Sequence, residues 1–161
     1  GAISILKKNQ DSIIWSLLAI NPEASSLLEE NKDIINWDWL SANPGAISLL
    51  KKNLDKINWV EMSANSSSEA IRLLEQHPNK INWSWLSRNS NSRAISLLEK
   101  HPDKIEWSWL SRNPNPRTIS LLKQNPDQID WEYMSQNPSP EAILFLEQNQ
   151  DNIDWSYLKE D

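Results

Sequence analysis

The stretch NPNPRTISLLKQNPDQIDWEYMSQ, Asn113 to Gln136, holds the signals from which the rest of the chain can be read. Asn115 followed by Pro116 is a helix start: the Asn side chain caps, and proline at the first helical position lacks only an N–H that no carbonyl needs. Ile119, Leu121 and Leu122 then fall on one face of a short helix. Asn125 with Pro126 behind it forbids continuation. Asp130 reads as the cap of a second, shorter helix opening at Trp131. Along that helix Trp131 and Met134 share a face, and at ~100° per residue Tyr133 is turned roughly 160° or more from Trp131.

The same pattern recurs along the whole sequence. Tryptophans stand at Trp15, Trp37, Trp59, Trp83, Trp107, Trp131 and Trp155, at steps of 22 and then 24 residues. A fixed period of this size marks a repeat architecture, in which each unit packs on its neighbours instead of on one shared centre. Counted from the opening Asn, a partial unit covers 1–20, and full units cover 21–42, 43–64, 65–88, 89–112, 113–136 and 137–161. The shorter units lack two residues just after that Asn, yet NPGAISLL keeps the start signal, with Asn43 as cap and Pro44 next. The expectation is one all-α solenoid domain over 1–161. Each repeat should carry two short helices, an α-helix and a short α or 3₁₀ helix, and the curvature should change near Asn65.

The thirteenth position of each unit reads Asn9, Asn31, Asn53, His77, His101, Asn125 and Asn149. Asn and His tolerate the left-handed conformation that ends many helices, so a left-handed cap is expected there. On this reading the two histidines are caps standing in for Asn, against the alternative of a metal or catalytic role.

Two aromatic positions differ in kind. The first, the seven tryptophans above, lies beside an invariant Ile and is assigned to the core. Burying an indole removes ~150–250 Å² from water, worth roughly 4–6 kcal/mol as an upper bound, and helices this short need such burial to persist. The second position reads Leu17, Trp39, Glu61, Trp85, Trp109, Tyr133 and Tyr157. A position that accepts Glu61 is not deeply buried. Stacked repeats would set these rings in a row ~8–10 Å apart, a surface of the kind protein partners favour. The competing reading is that each ring merely lies over its neighbour. Arg88, Arg93, Arg112 and Arg117 occur beside this row, and arginine interleaved with tryptophan can grip acidic peptide, phosphate or a nucleic-acid strand; a solvated, variable edge is the alternative.

Charge is uneven along the chain. The total is −6, but residues 80–117 carry 7 basic and 3 acidic side chains, and residues 118–161 carry 2 and 9. The acidic total argues against general nucleic-acid binding and leaves only a local version in the basic middle. Two glycines leave no phosphate-binding loop, and two histidines without cysteine leave no metal-ligand set. No catalytic residue, metal or cofactor is expected, because periodic carboxylates are the opposite of one asymmetric active site. Apolar runs are too short for a membrane span, and an intracellular protein is expected.

The unit NSRAISLLEKHPDKIEWSWLSRNP, 91–114, resembles the tandem repeats of predicted proteins from nucleocytoplasmic giant DNA viruses, over essentially the whole chain. That resemblance implies a repeat protein of a giant virus or of a host-acquired relative, placed in host cytoplasm or virion, and it transfers no catalytic residue. The spacing is also similar to the leucine-rich-repeat variant, with its alternating α and 3₁₀ helices, although the invariant Trp departs from it. The leading expectation is a non-enzymatic scaffold for a protein partner, using Trp39, Trp85, Trp109, Tyr133 and Tyr157 with the four arginines. The alternatives are a structural or self-associating assembly protein, and a single-stranded nucleic-acid binder along the arginine and tryptophan edge.

Overall fold

The computed structural model describes residues 2–19, 21, 24–153 and 155. The fold is an all-α repeat solenoid, and the described residues form no strand. The chain divides into two compact units, Gly1–Ile81 and Asn82–Asp161.

The first unit runs α1 (Ala2–Lys8), α2 (Trp15–Leu18), α3 (Ser25–Glu30), α4 (Trp37–Ala42), α5 (Ile47–Lys51), α6 (Trp59–Ala64) and α7 (Ser68–Gln76). Within it, α4 packs on α6, the equivalent helix of the next repeat. The second unit runs α8 (Trp83–Arg88), α9 (Ser92–Glu99), α10 (Trp107–Arg112), α11 (Pro116–Gln124), α12 (Trp131–Ser135) and α13 (Pro140–Glu147). Here α8, α10 and α12 stack in one layer, while α9, α11 and α13 stack in the other.

Starts and stops follow the local chemistry. Asn115 Oδ1 accepts from Arg117 N at 3.0 Å with Pro116 opening α11, and Asp130 Oδ1 accepts from Tyr133 N at 3.1 Å at the head of α12. In the short unit Asn43 caps Gly45 N, and a 3₁₀ turn, Pro44–Ala46, precedes α5. Where both helices of a repeat are described, a further 3₁₀ turn joins them, for example Pro102–Lys104 and Pro126–Gln128. The turn ends on the repeated Ile, whose extended backbone (φ −72°, ψ 128° at Ile105) aims the chain into the next cap.

The helix-ending position corrects the left-handed expectation. His77 has φ −129° and ψ 59°, His101 −133° and 61°, and Asn125 −132° and 62°; among the described residues none has positive φ. The terminal carbonyls are satisfied in another way. The side-chain N–H of Asn31, Asn53, Asn125 and Asn149 donates back four residues, to the carbonyls of Leu27, Leu49, Leu121 and Phe145 at 2.7–2.9 Å. The chain therefore needs no left-handed residue, since the carboxamide does the capping. The two histidines instead lay their rings on the tryptophan of the preceding repeat: Trp59 to His77 at 5.0 Å and Trp83 to His101 at 5.1 Å.

That arrangement also locates the tryptophan row. Trp15, Trp37, Trp59, Trp83, Trp107 and Trp131 are half-buried, and Trp155 is 60% exposed. The fully enclosed position is three residues further on: Leu40, Met62, Leu86, Leu110 and Met134 are all at 0% exposure. The reason is geometric. Trp is the first residue of its helix, at the edge of the layer, and its cover comes from the next repeat; Phe145 stacks on Trp131 in this way at 5.7 Å and 21°. Leu110, one turn in, lies in a helix packed on both α8 and α12. The expectation of an interior indole row is thus corrected to a flanking one.

A second feature of the interior is polar. Asn113 is 2% exposed, and its carboxamide donates to the carbonyls of Ser87 at 2.9 Å and Asn89 at 3.1 Å while accepting from Asn115 N at 3.0 Å. Asn137 repeats this on Ser111, Asn113 and Ser139, and in the first unit Asn43 reaches Ala19 and Asn21. A serine two residues before each such Asn adds a rung. Ser41 Oγ donates to Trp37 O and accepts Asn58 N from the next repeat, and Ser87 and Ser111 accept Glu106 N and Asp130 N. No buried side-chain N or O among the described residues lacks a partner. Within each unit, successive repeats are therefore tied by directed hydrogen bonds as well as by apolar burial.

Candidate docking face and arginine pocket

The second aromatic position lies at the third residue of each Trp-led helix, so it is offset from the enclosed Leu or Met. Trp39 is 43% exposed, while Trp85, Trp109 and Tyr133 are half-buried, as is Glu61 at the same position. Tyr157 and the side chain of Leu17 lie outside the described residues.

In the second unit this row is continuous. The guanidinium of Arg88 lies between two indoles, 4.5 Å from the ring centre of Trp85 and 4.2 Å from that of Trp109. Trp109 meets Tyr133 edge-on at 5.4 Å and 72°. The exposed Arg88 thus links the half-buried Trp85 and Trp109, and Tyr133 in turn packs on Trp109. Stacking of this kind contributes ~0.5–2 kcal/mol per contact and fixes a long side chain that would otherwise sample many rotamers.

The structure brings together two of the four singled-out arginines. Arg88 and Arg112, the last residues of α8 and α10, line one open pocket of about 210 Å³ with Trp109, Asn113 and Pro114. Both side chains are exposed, and neither guanidinium has an ion-pair or hydrogen-bond partner among the described residues. Arg117 is committed elsewhere. It binds both carboxylate oxygens of Glu99, at 2.9 and 2.7 Å, and also Ser96 Oγ and Ser92 O. Arg93, half-buried near the start of α9, is not part of the pocket lining.

Two exposed carboxylates elsewhere are shifted by a lysine partner. The hydrogen bond from Lys52 holds the Glu29 carboxyl below its ordinary range, and Lys104 does the same for Asp103. Among the described residues no three His, Cys, Asp or Glu side chains converge as metal ligands, and no helix is long and apolar enough to cross a membrane.

The polar ladder is what sequence reasoning missed. Its signal was present, because Asn recurs at the opening of every unit and Ser two residues earlier in most of them. A cap needs no such invariance, since Ser, Thr and Asp serve as well. Only a carboxamide both donates twice and accepts. Comparison with protein-family models, curated proteins and solved structures gives no match.

Proposed function

We propose that this all-helical repeat protein is a non-enzymatic scaffold that docks a protein partner along the row Trp85, Arg88, Trp109 and Tyr133. One observation carries this reading: three half-buried rings from successive repeats are joined through the exposed Arg88 and through each other, while the fully enclosed positions are taken by Leu86, Leu110 and Met134. Rigid aromatic and arginine side chains lose little entropy on binding, which is why such residues dominate interface energetics. Trp39, in the first unit, holds the equivalent repeat position with a ring that is 43% exposed. The viral setting rests on the sequence resemblance alone.

The test is capture by the immobilised protein from extract of its native source, compared with the double variant Trp85→Ala and Trp109→Ala. A protein retained in stoichiometric amount by the parent chain and lost by the variant, with helical circular dichroism unchanged, is the expected result. Equal retention by both chains would remove the row from the interface.

A further inference from the structure

We propose that the pocket between Arg88 and Arg112 is a receptor for a single phosphate monoester on the docked partner, a phosphoserine or phosphothreonine side chain. The proposal deepens the docking reading above and rests on it. Arg88 and Arg112 line one concavity, and no carboxylate among the described residues pairs with either. Other arginines with room to do so have taken carboxylate partners, Arg72 on Glu69 and Arg117 on Glu99. A pair left unneutralised faces mutual repulsion that a bound dianion removes.

Ring contacts with Trp85 and Trp109 hold the Arg88 guanidinium, and no hydrogen-bond partner among the described residues takes its N–H edge. That edge is the part that forms paired N–H···O bonds with phosphate oxygens. Arg112 is its equivalent one repeat later, but Tyr133 already occupies the edge of Trp109, and Arg112 is left unstacked at the pocket wall. One fixed and one adaptable guanidinium then close on the ligand from two repeats. The open pocket, of about 210 Å³, has room for a phosphate group.

The surroundings favour an anion more than helix ends usually do. Arg88 and Arg112 close their helices, where free carbonyls ordinarily repel negative charge. Here the carbonyl of Ser87 accepts from Asn113, that of Ser111 accepts from Asn137, and those of Leu86 and Leu110 accept backbone N–H groups. The buried ladder thus occupies the acceptors that would oppose binding. Pro114 offers no N–H, so specificity falls to the two arginines.

A point phosphate fits better than a nucleic-acid strand. The residue equivalent to Arg112 is Gln136 in the next unit and Ala42 and Ala64 in the earlier ones, so no basic track continues past the pocket. The stretch beyond, 118–161, carries 2 basic against 9 acidic side chains, which repels an extended polyanion. A phosphate near −2 also matches two guanidiniums, whereas a carboxylate leaves one uncompensated.

The experiment uses three short peptides of one neutral sequence whose central residue is phosphoserine, serine or glutamate, with a thymidine oligonucleotide as the fourth probe. Binding to the intact chain is followed by the arginine Nε–H and indole N–H resonances. The expected result is saturable shifts confined to Arg88, Trp109 and Arg112 with the phosphopeptide only. Arg88→Gln and Arg112→Gln should each weaken binding by at least ~10-fold, while Arg117→Gln leaves it unchanged. Equal affinity for the serine peptide, equal affinity for the glutamate peptide, or tighter binding of the oligonucleotide through the same resonances would each overturn the proposal. Partner capture that needs Trp109 but survives Arg88→Gln with Arg112→Gln would keep the docking row and overturn the phosphate site alone.

Discussion

Replacing Asn113 with leucine lowers the unfolding free energy by about 3–5 kcal/mol, although the new side chain has nearly the same size and is apolar. The substitution strands the carbonyls of Ser87 and Asn89 and the N–H of Asn115 inside a site that is 2% exposed. Each buried group left without a partner costs roughly 1–3 kcal/mol, and the loss of directed contact between repeats is not recovered by apolar burial. Urea unfolding followed by far-ultraviolet circular dichroism measures it. The matching substitution at a helix end, Asn125→Ala, removes one half-buried bond to Leu121 and should cost about 1 kcal/mol or less. A loss of that smaller size at Asn113 would mean that water or a rearranged backbone serves the freed groups.

Leu110→Ala is expected to cost about 3–4 kcal/mol in the same assay. Leu110 is at 0% exposure in a helix packed on both α8 and α12, so a cavity there has little chance to collapse. Leu110→Met should cost less than about 1.5 kcal/mol, because the chain already places Met62 and Met134 at that position, also fully enclosed. Similar costs for Ala and Met would show that the layer is loosely packed and that the enclosed stripe is not what holds the helices together.

These two positions also show how far the sequence could be read. The repeat length, the two helices and their caps at Asn115 and Asp130 follow from local signals, because capping and proline chemistry act within a few residues. The depth of the tryptophan row does not follow. Indole size suggests an interior place, but depth depends on where a helix begins relative to its layer, and Trp107 begins one while Leu110 sits a turn inside. The cap assigned to Asn43 was correct as far as it went, since Oδ1 does accept from Gly45. The other half of that carboxamide reaches back to Ala19 and Asn21, a contact between repeats that no local window contains.

The arginines divide in the same way. Their spacing placed Arg88 and Arg112 in equivalent positions, and those two do line one pocket. Arg117, equally suggestive in sequence, is held by Glu99 of the previous repeat. Charge patterning along a chain gives candidate sites, and only the partners across repeats decide which of them stay open.

Buried carboxamides join the repeats within each unit, and on the proposed docking reading the aromatic and arginine row is left for a partner. Hydrogen exchange of side-chain N–H groups, read by nuclear magnetic resonance on the intact chain, tests it most directly. The Nδ2 protons of Asn43, Asn65, Asn113 and Asn137 should exchange slowly, with dispersed shifts, while the Arg88 and Arg112 guanidinium protons exchange fast. Asparagine carboxamides exchanging at free-peptide rates, beside strongly protected arginines, would contradict it.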